Sequence, residues 1–248
     1  MPPTSTPPLP TTPEPAHGPS DRWRDARAQY TKFARSGGTG SNALLNALAG
    51  YIGRSLGGTG AAARRMSTSQ AAARELGGVV GDFATRGVEP TLRGLGLEDL
   101  VGRPLAEVLV TVLERVCPPG ATVDEAIARE AYLQAVIEST PADGAEEPQF
   151  NEELALRILE SFATNSICLR IINDIGTKGL EVSASAITAL NVEEQLREFV
   201  QGAVHDAIAQ VRGDGESLDR VEASRIADEL YPVAWDVLLA LAKKGGEE

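Results

Sequence analysis

The chain has 248 residues, 42% of them hydrophobic and only 4% aromatic, with a formal net charge of -12. That length buries a sizeable core as one large domain or two small ones, and the scarcity of aromatics leaves Ala, Val, Leu and Ile to build it. Two cysteines (Cys117, Cys168) and two histidines (His17, His205) exclude a disulfide scaffold, a cysteine-based zinc cluster and His-rich metal chemistry.

Residues 1–19 hold eight of the chain's 15 prolines, mixed with Thr and Ser. Proline fixes φ and removes the N–H, so this stretch favours extended conformers and cannot form a core. It reads as a disordered tail, either inert or a recognition strand at the N-terminus. It has neither a basic residue nor an apolar centre, so it is no secretory signal. The uncharged stretch 36–53 is too rich in Gly, Ser and Asn to span a bilayer, which makes the cytoplasm the expected compartment.

Order is expected from Ser20. Ser20 or Asp21 can cap a helix that carries Trp23, Ala26, Tyr30 and Phe33 on one stripe and Arg22, Arg24, Arg27, Lys32 and Arg35 elsewhere. A weak duplication follows. Gly37-Gly38-Thr39-Gly40 precedes a helical run through Leu44, Leu45, Leu48 and Ile52, and Gly57-Gly58-Thr59-Gly60 precedes Ala61 to Met66. Each cluster can end one helix and start the next, because Gly accepts positive φ without steric cost. The Gly53-x-x-x-Gly57 pair predicts a close helix approach.

Past Glu75 the signals are conventional. Pro104 opens a helix with Leu105, Val108, Leu109, Val112, Leu113 and Val116 on one face, and Pro118-Pro119 stops it. Thr122-x-x-Glu125 is a capping-box signal for a helix that carries Ala126, Ile127, Leu133, Val136 and Ile137. Asn151 caps a long, apolar central helix that ends near Gly176. Asn191-x-x-Glu194 starts another, and a last helix spans roughly 217–244 with a kink or break at Pro232. No two-residue alternation appears. The fold class is therefore all-α, an irregular multi-helix bundle behind a Pro-rich tail. Its divisions are residues 1–19, a basic Gly/Ala-rich helical region 20–99, and an acidic helical bundle 100–248 packed with 20–99 as one unit.

Charge is uneven along the chain. Residues 20–74 carry nine basic side chains against Asp21 and Asp25, while 75–248 carry a net -18. Such a module steers an anionic partner or binds an acidic surface, unless the two halves pair with each other in the fold.

Catalytic motifs are lacking. The Gly37–Asn42 stretch has no phosphate-loop Lys and no strand feeding it, so helix capping explains it. Glu152-Glu153 and Glu193-Glu194 follow Asn residues in first turns, where carboxylates complement the helix dipole. His205-Asp206 has no nucleophile nearby. Cys168 is expected buried and Cys117, beside Pro118, more exposed; neither has basic neighbours that lower a thiol pKa. No enzyme activity, cofactor or metal is expected.

Several runs share a pattern with a known family: Arg22-Trp23-Arg24-Asp25-Ala26-Arg27, Phe33-Ala34-Arg35-Ser36-Gly37-Gly38, Ala43-Leu44 and Tyr51-Ile52. So do Gly57-Gly58-Thr59-Gly60-Ala61-Ala62-Ala63-Arg64-Arg65-Met66 and Leu100-Val101-Gly102-Arg103-Pro104-Leu105-Ala106-Glu107. Together they resemble the QatB component of the bacterial Qat anti-phage defence system, well over residues 20–135 and more loosely beyond. That system also includes an ATPase, a QueC-like enzyme and a TatD-like nuclease. The resemblance implies that the QueC-like enzyme binds the QatB component and attaches a deazaguanine-type base to its N-terminal residue.

Here that residue would be Met1, or Pro2 once Met1 is removed. Family members usually start Met-Gly-Thr-Ser, whereas Pro2 would present a hindered secondary amine, which disfavours attachment. The alternatives are a natural start upstream, an altered N-terminus, or a member that behaves differently. The candidate partner-binding residues are Trp23, Arg27, Tyr30, Phe33, Arg35, Arg64 and Arg65. Two competing readings are a nucleic-acid module using residues 20–74, which the acidic body opposes, and a scaffold joining the ATPase and the nuclease.

Overall fold

The computed structural model describes residues 21–140, 149–181, 185–213 and 217–246. The tail 1–19, with Met1 and Pro2, and the proposed cap Ser20 lie outside the described residues. What is described is helical, with no strand among the described residues, as the sequence pattern predicts. No described helix is long and apolar enough to cross a membrane.

The N-terminal part comprises α1 (Asp21–Arg35), α2 (Ser41–Gly50), a π-helical turn (Tyr51–Ser55), α3 (Thr59–Arg65) and α4 (Ser67–Arg86). Gly37, Gly38, Gly57 and Gly58 all take positive φ, between 68° and 106°, so both glycine clusters act as the helix breaks the sequence predicts. Then come α5 (Val88–Gly94), α6 (Leu105–Val116) and α7 (Val123–Ser139). The last group is α8 (Glu152–Ile171), a second π turn (Ile172–Gly176), α9 (Thr177–Glu181), α10 (Ala186–Val211) and α11 (Arg220–Gly245).

Local capping chemistry fixes several starts. Thr122 Oγ1 accepts from Glu125 N at 3.2 Å while Glu125 Oε2 accepts from Thr122 N at 2.9 Å, closing the capping box of α7. Asn151 Oδ1 accepts from Leu154 N at 2.9 Å and opens α8. The predicted start at Asn191 is wrong. Ser185 caps α10 by accepting from Thr188 N at 3.1 Å, and Asn191 lies inside the helix. The first turns were missed because their large apolar residues, Ile187 and Leu190, face outward. Asp219 caps α11, which then runs through Pro232 to Gly245 without a break.

The six apolar residues predicted on one face of α6 are all buried. In α7, however, Ala126 and Ile137 are exposed. That helix buries the predicted Ile127 and Val136 together with Tyr132 and with Ala128, Ala131 and Ala135, small residues that let it lie close to α8. Helix α8 is buried along almost its whole length between α4, α7 and α10, the central place the sequence predicts.

Close backbone approach occurs, but not at Gly53 and Gly57, where an added Cβ would meet nothing within 4 Å. It occurs where α4 crosses the start of α11. A Cβ on Gly77 would sit 2.7 Å from the Ala223 carbonyl oxygen, and one on Gly81 2.6 Å from that of Asp219. Arg220 reaches back from α11 to pair with buried Asp82 through Nε at 2.8 Å, clamping the crossing.

Candidate functional site

Both π turns feed one polar cluster. A π turn inserts an extra residue into a helical run, is rare, and recurs at functional sites. Here the first places Tyr51 and the second places Asp174, and Tyr51 Oη donates to Asp174 Oδ2 at 2.9 Å.

Asp174 is the hub. Its side chain is 3% exposed, yet it lies in an apolar run with Ile171, Ile172 and Ile175. A charge taken from water in this way must be paired. Arg65, the last residue of α3, donates to it twice, from Nε at 2.9 Å and from Nη2 at 3.1 Å. Asn173 adds a donor at 3.1 Å. Buried Arg170 stands behind, 3.8 Å from Asp174 and paired with Asp124. Burial alone would push the Asp174 carboxyl up, but the Arg65 and Tyr51 hydrogen bonds and the Arg65 charge outweigh it and hold the group below the usual carboxylate range. Burial, reinforced by Asp174, keeps the Tyr51 phenol protonated far above its ordinary value.

A second layer lies outside this hub. Arg27, on α1, donates from Nε to the Asp174 carbonyl at 3.2 Å. One turn earlier on α1 stands Trp23, half-buried, with the Arg27 guanidinium 5.7 Å and the Arg65 guanidinium 5.9 Å from its ring centroid. The Trp23 ring also meets Tyr51 at 5.9 Å, and Tyr51 meets buried Trp235 at 6.2 Å. Trp23 and Arg27 of α1 and Arg65 of α3, three of the seven predicted partner-binding residues, are thus brought together: both arginines bond Asp174, and both guanidiniums lie by the Trp23 ring.

The other four do not join them. Tyr30 and Phe33 are fully buried, and the Tyr30 ring lies on Gly176 and Gly179, so both rings belong to the core and cannot touch a partner. The apolar stripe of α1 that suggested a docking face is its packing face. Arg35 is exposed at the far end of α1, and Arg64 is exposed beside Arg65; neither forms an ion pair among the described residues. Met1 and Pro2 lie outside the described residues.

Charge pairing between the halves is real but partial. Arg65 pairs with Asp174, and Arg74 Nε reaches Asp228 at 2.6 Å. Arg22 and Lys32 form no ion pair among the described residues. Elsewhere, a cleft of about 510 Å³ between α4, α6 and α7 is lined by Ala72, Glu75, Arg115 and Cys117. Cys117 is buried, contrary to expectation, because its sulfur turns inward toward the Ala128 carbonyl. Burial pushes both thiols up to about 12, so neither is a ready nucleophile. Among the described residues, no group of three or more His, Cys, Asp or Glu is placed to hold a metal ion.

Comparison with known proteins decides the family. A family model described as "Qat anti-phage system associated protein QatB" matches residues 57–238, from the second glycine cluster to near the end of α11. The chain belongs to the QatB family. Membership of QatB supports a role in anti-phage defence within the Qat system. The matched span contains Arg65, Arg170 and Asp174, while α1 and Tyr51 precede it. No curated protein and no solved structure matches the chain.

Proposed function

We propose that this member of the QatB family is a non-enzymatic partner protein. It docks a QueC-like enzyme of the same defence system through its folded body and offers its N-terminus for attachment of a deazaguanine-type base. The observation that supports the reading most is where the cluster lies. Trp23 is the third residue of α1, so Trp23 and Arg27 lie within its first two turns, with Arg65 beside them, next to where residues 1–20 join the chain.

A partner that grips this point holds the N-terminal segment at a fixed root while its end enters an active site. Affinity from the body then raises the effective concentration of the segment. The aromatic and arginine side chains here are the types that anchor protein interfaces.

Co-expression with the QueC-like enzyme tests the reading. A single co-eluting complex at micromolar concentration is expected, with an intact mass that shows an added base at the N-terminus. Separate elution of the two proteins would overturn docking. A complex with an unmodified N-terminus would overturn the role as substrate.

A further inference from the structure

We propose that the outer edges of Arg27 and Arg65, spread beside Trp23, form a receptor for a phosphate group carried by a small molecule. Both guanidiniums are fixed on their inner side by one residue. Arg27 spends only Nε, on the Asp174 carbonyl, and Arg65 spends Nε and Nη2 on the Asp174 carboxylate. The terminal nitrogens of Arg27 and Nη1 of Arg65 have no hydrogen-bond partner among the described residues. Both side chains reach solvent, Arg65 at 43% exposure. Two cations are therefore held near one indole ring, pre-positioned, with donors unspent.

The local charge is positive. Arg27, Arg65 and Arg170 stand against Asp174 and Asp124. The single negative charge of Asp174 is already matched by Arg65, which bonds both of its carboxylate oxygens. An oxyanion on the outer edge relieves the repulsion between the two guanidiniums.

The number of donors selects the anion. A planar carboxylate is satisfied by a single guanidinium fork, whereas a tetrahedral phosphate offers three or more oxygens and up to two charges, enough for two separate forks. A polyanion such as nucleic acid is opposed by the acidic body, because a net charge of -12 repels a long phosphate chain beyond the immediate site. A compact phosphate ester meets the local field and little of the rest.

Calorimetric titration of the full chain alone, with inorganic phosphate, pyrophosphate and acetate at matched ionic strength, tests the proposal. Saturable binding of phosphate or pyrophosphate is expected, with acetate silent. Arg27→Gln should weaken binding by about tenfold or more, the loss of one charge-assisted contact. The Arg27 side chain is itself exposed and makes a single, part-buried hydrogen bond, so the fold should survive, which circular dichroism would check. Phosphate binding no tighter than acetate, or unchanged in Arg27→Gln, would overturn the proposal. No partner protein is present, so failure here and failure of docking to the QueC-like enzyme are separate results.

Discussion

Gln70 Nε2 donates a 2.6 Å hydrogen bond to the backbone carbonyl of Asp228, the oxygen that Pro232, four residues on, leaves without an amide donor in α11. Proline inside a helix removes one rung of the hydrogen-bond ladder, and a buried carbonyl left open is costly. A side chain from α4 replaces the missing donor, which accounts for an α11 that passes through Pro232. Gln70→Ala should therefore lower stability by about 1–2 kcal/mol. In a Pro232→Ala background, where the amide returns, the same change should cost much less. Urea unfolding of the four proteins of this double-mutant cycle measures the coupling; zero coupling would refute the replacement.

Asp174→Asn should destabilise the protein by about 3 kcal/mol at neutral pH, since it leaves Arg170 buried beside a neutral amide. Partial exposure of Arg65 keeps the figure at the low end of such losses. The pH dependence has a definite sign. The folded Asp174 pKa lies below its ordinary value of 3.8, so its contribution is complete above that value and disappears as pH falls through the lower folded value. The stability gap between wild type and Asp174→Asn should close in acid below about pH 4. Denaturant unfolding at pH 7, 5 and 3 would show it.

Glycine substitutions should separate the real helix contact from the one the sequence suggested. Gly81→Ala places a methyl against the Asp219 backbone, which cannot move aside as a side-chain tip can, and should cost about 2–3 kcal/mol or more. Gly53→Ala enters open space and should be neutral or stabilise by up to about 1 kcal/mol through reduced unfolded-state entropy. Thermal melts of the two variants suffice.

Trp235→Ala should be far more damaging than Trp23→Ala. The Trp235 ring is fully buried, and its truncation should cost about 3–5 kcal/mol. The Trp23 ring is half-buried under two guanidiniums, so its loss should cost less than half of that and act mainly on partner binding. Equal melting losses for both variants would contradict this division.

Deleting residues 1–19 should leave thermal unfolding and binding of the QueC-like partner unchanged, since that segment has only Leu9 and Ala16, besides Met1 and its prolines, as apolar residues. Phage defence should be lost. Full defence by the truncated protein would remove the N-terminal segment from the mechanism.

Much of the fold was readable because it is local. Thr122 with Glu125, Asn151 with Leu154, and the six-residue stripe of α6 are short-range patterns that capping geometry and the 3.6 period impose whatever the surroundings. The site was half readable. Trp23, Arg27 and Arg65 stood out by type, but Tyr51 and Asp174 lie 123 residues apart in sequence and no periodicity links them. A signal did exist: Arg170 and Asp174 are charges inside an apolar run, and a buried charge announces a partner elsewhere. The same gap explains the misplaced glycine contact. Whether Gly53 or Gly81 meets another backbone depends on a helix some 140 residues later, and composition is silent on that.

The crossing of α4 with α11 also sets a timetable for synthesis. The glycine face of α4 and the carboxylate of Asp82 find their partners only when Asp219 and Arg220 have left the ribosome, 138 residues after Asp82 itself. Until then the nascent chain holds a helix with three internal glycines, weak on its own, beside apolar residues that await cover. Such a chain commits late. Any truncation before α11, by a stalled ribosome or a premature stop, yields a product that lacks the surface on which its own first half closes, and disposal rather than a partly working fragment is the expected fate.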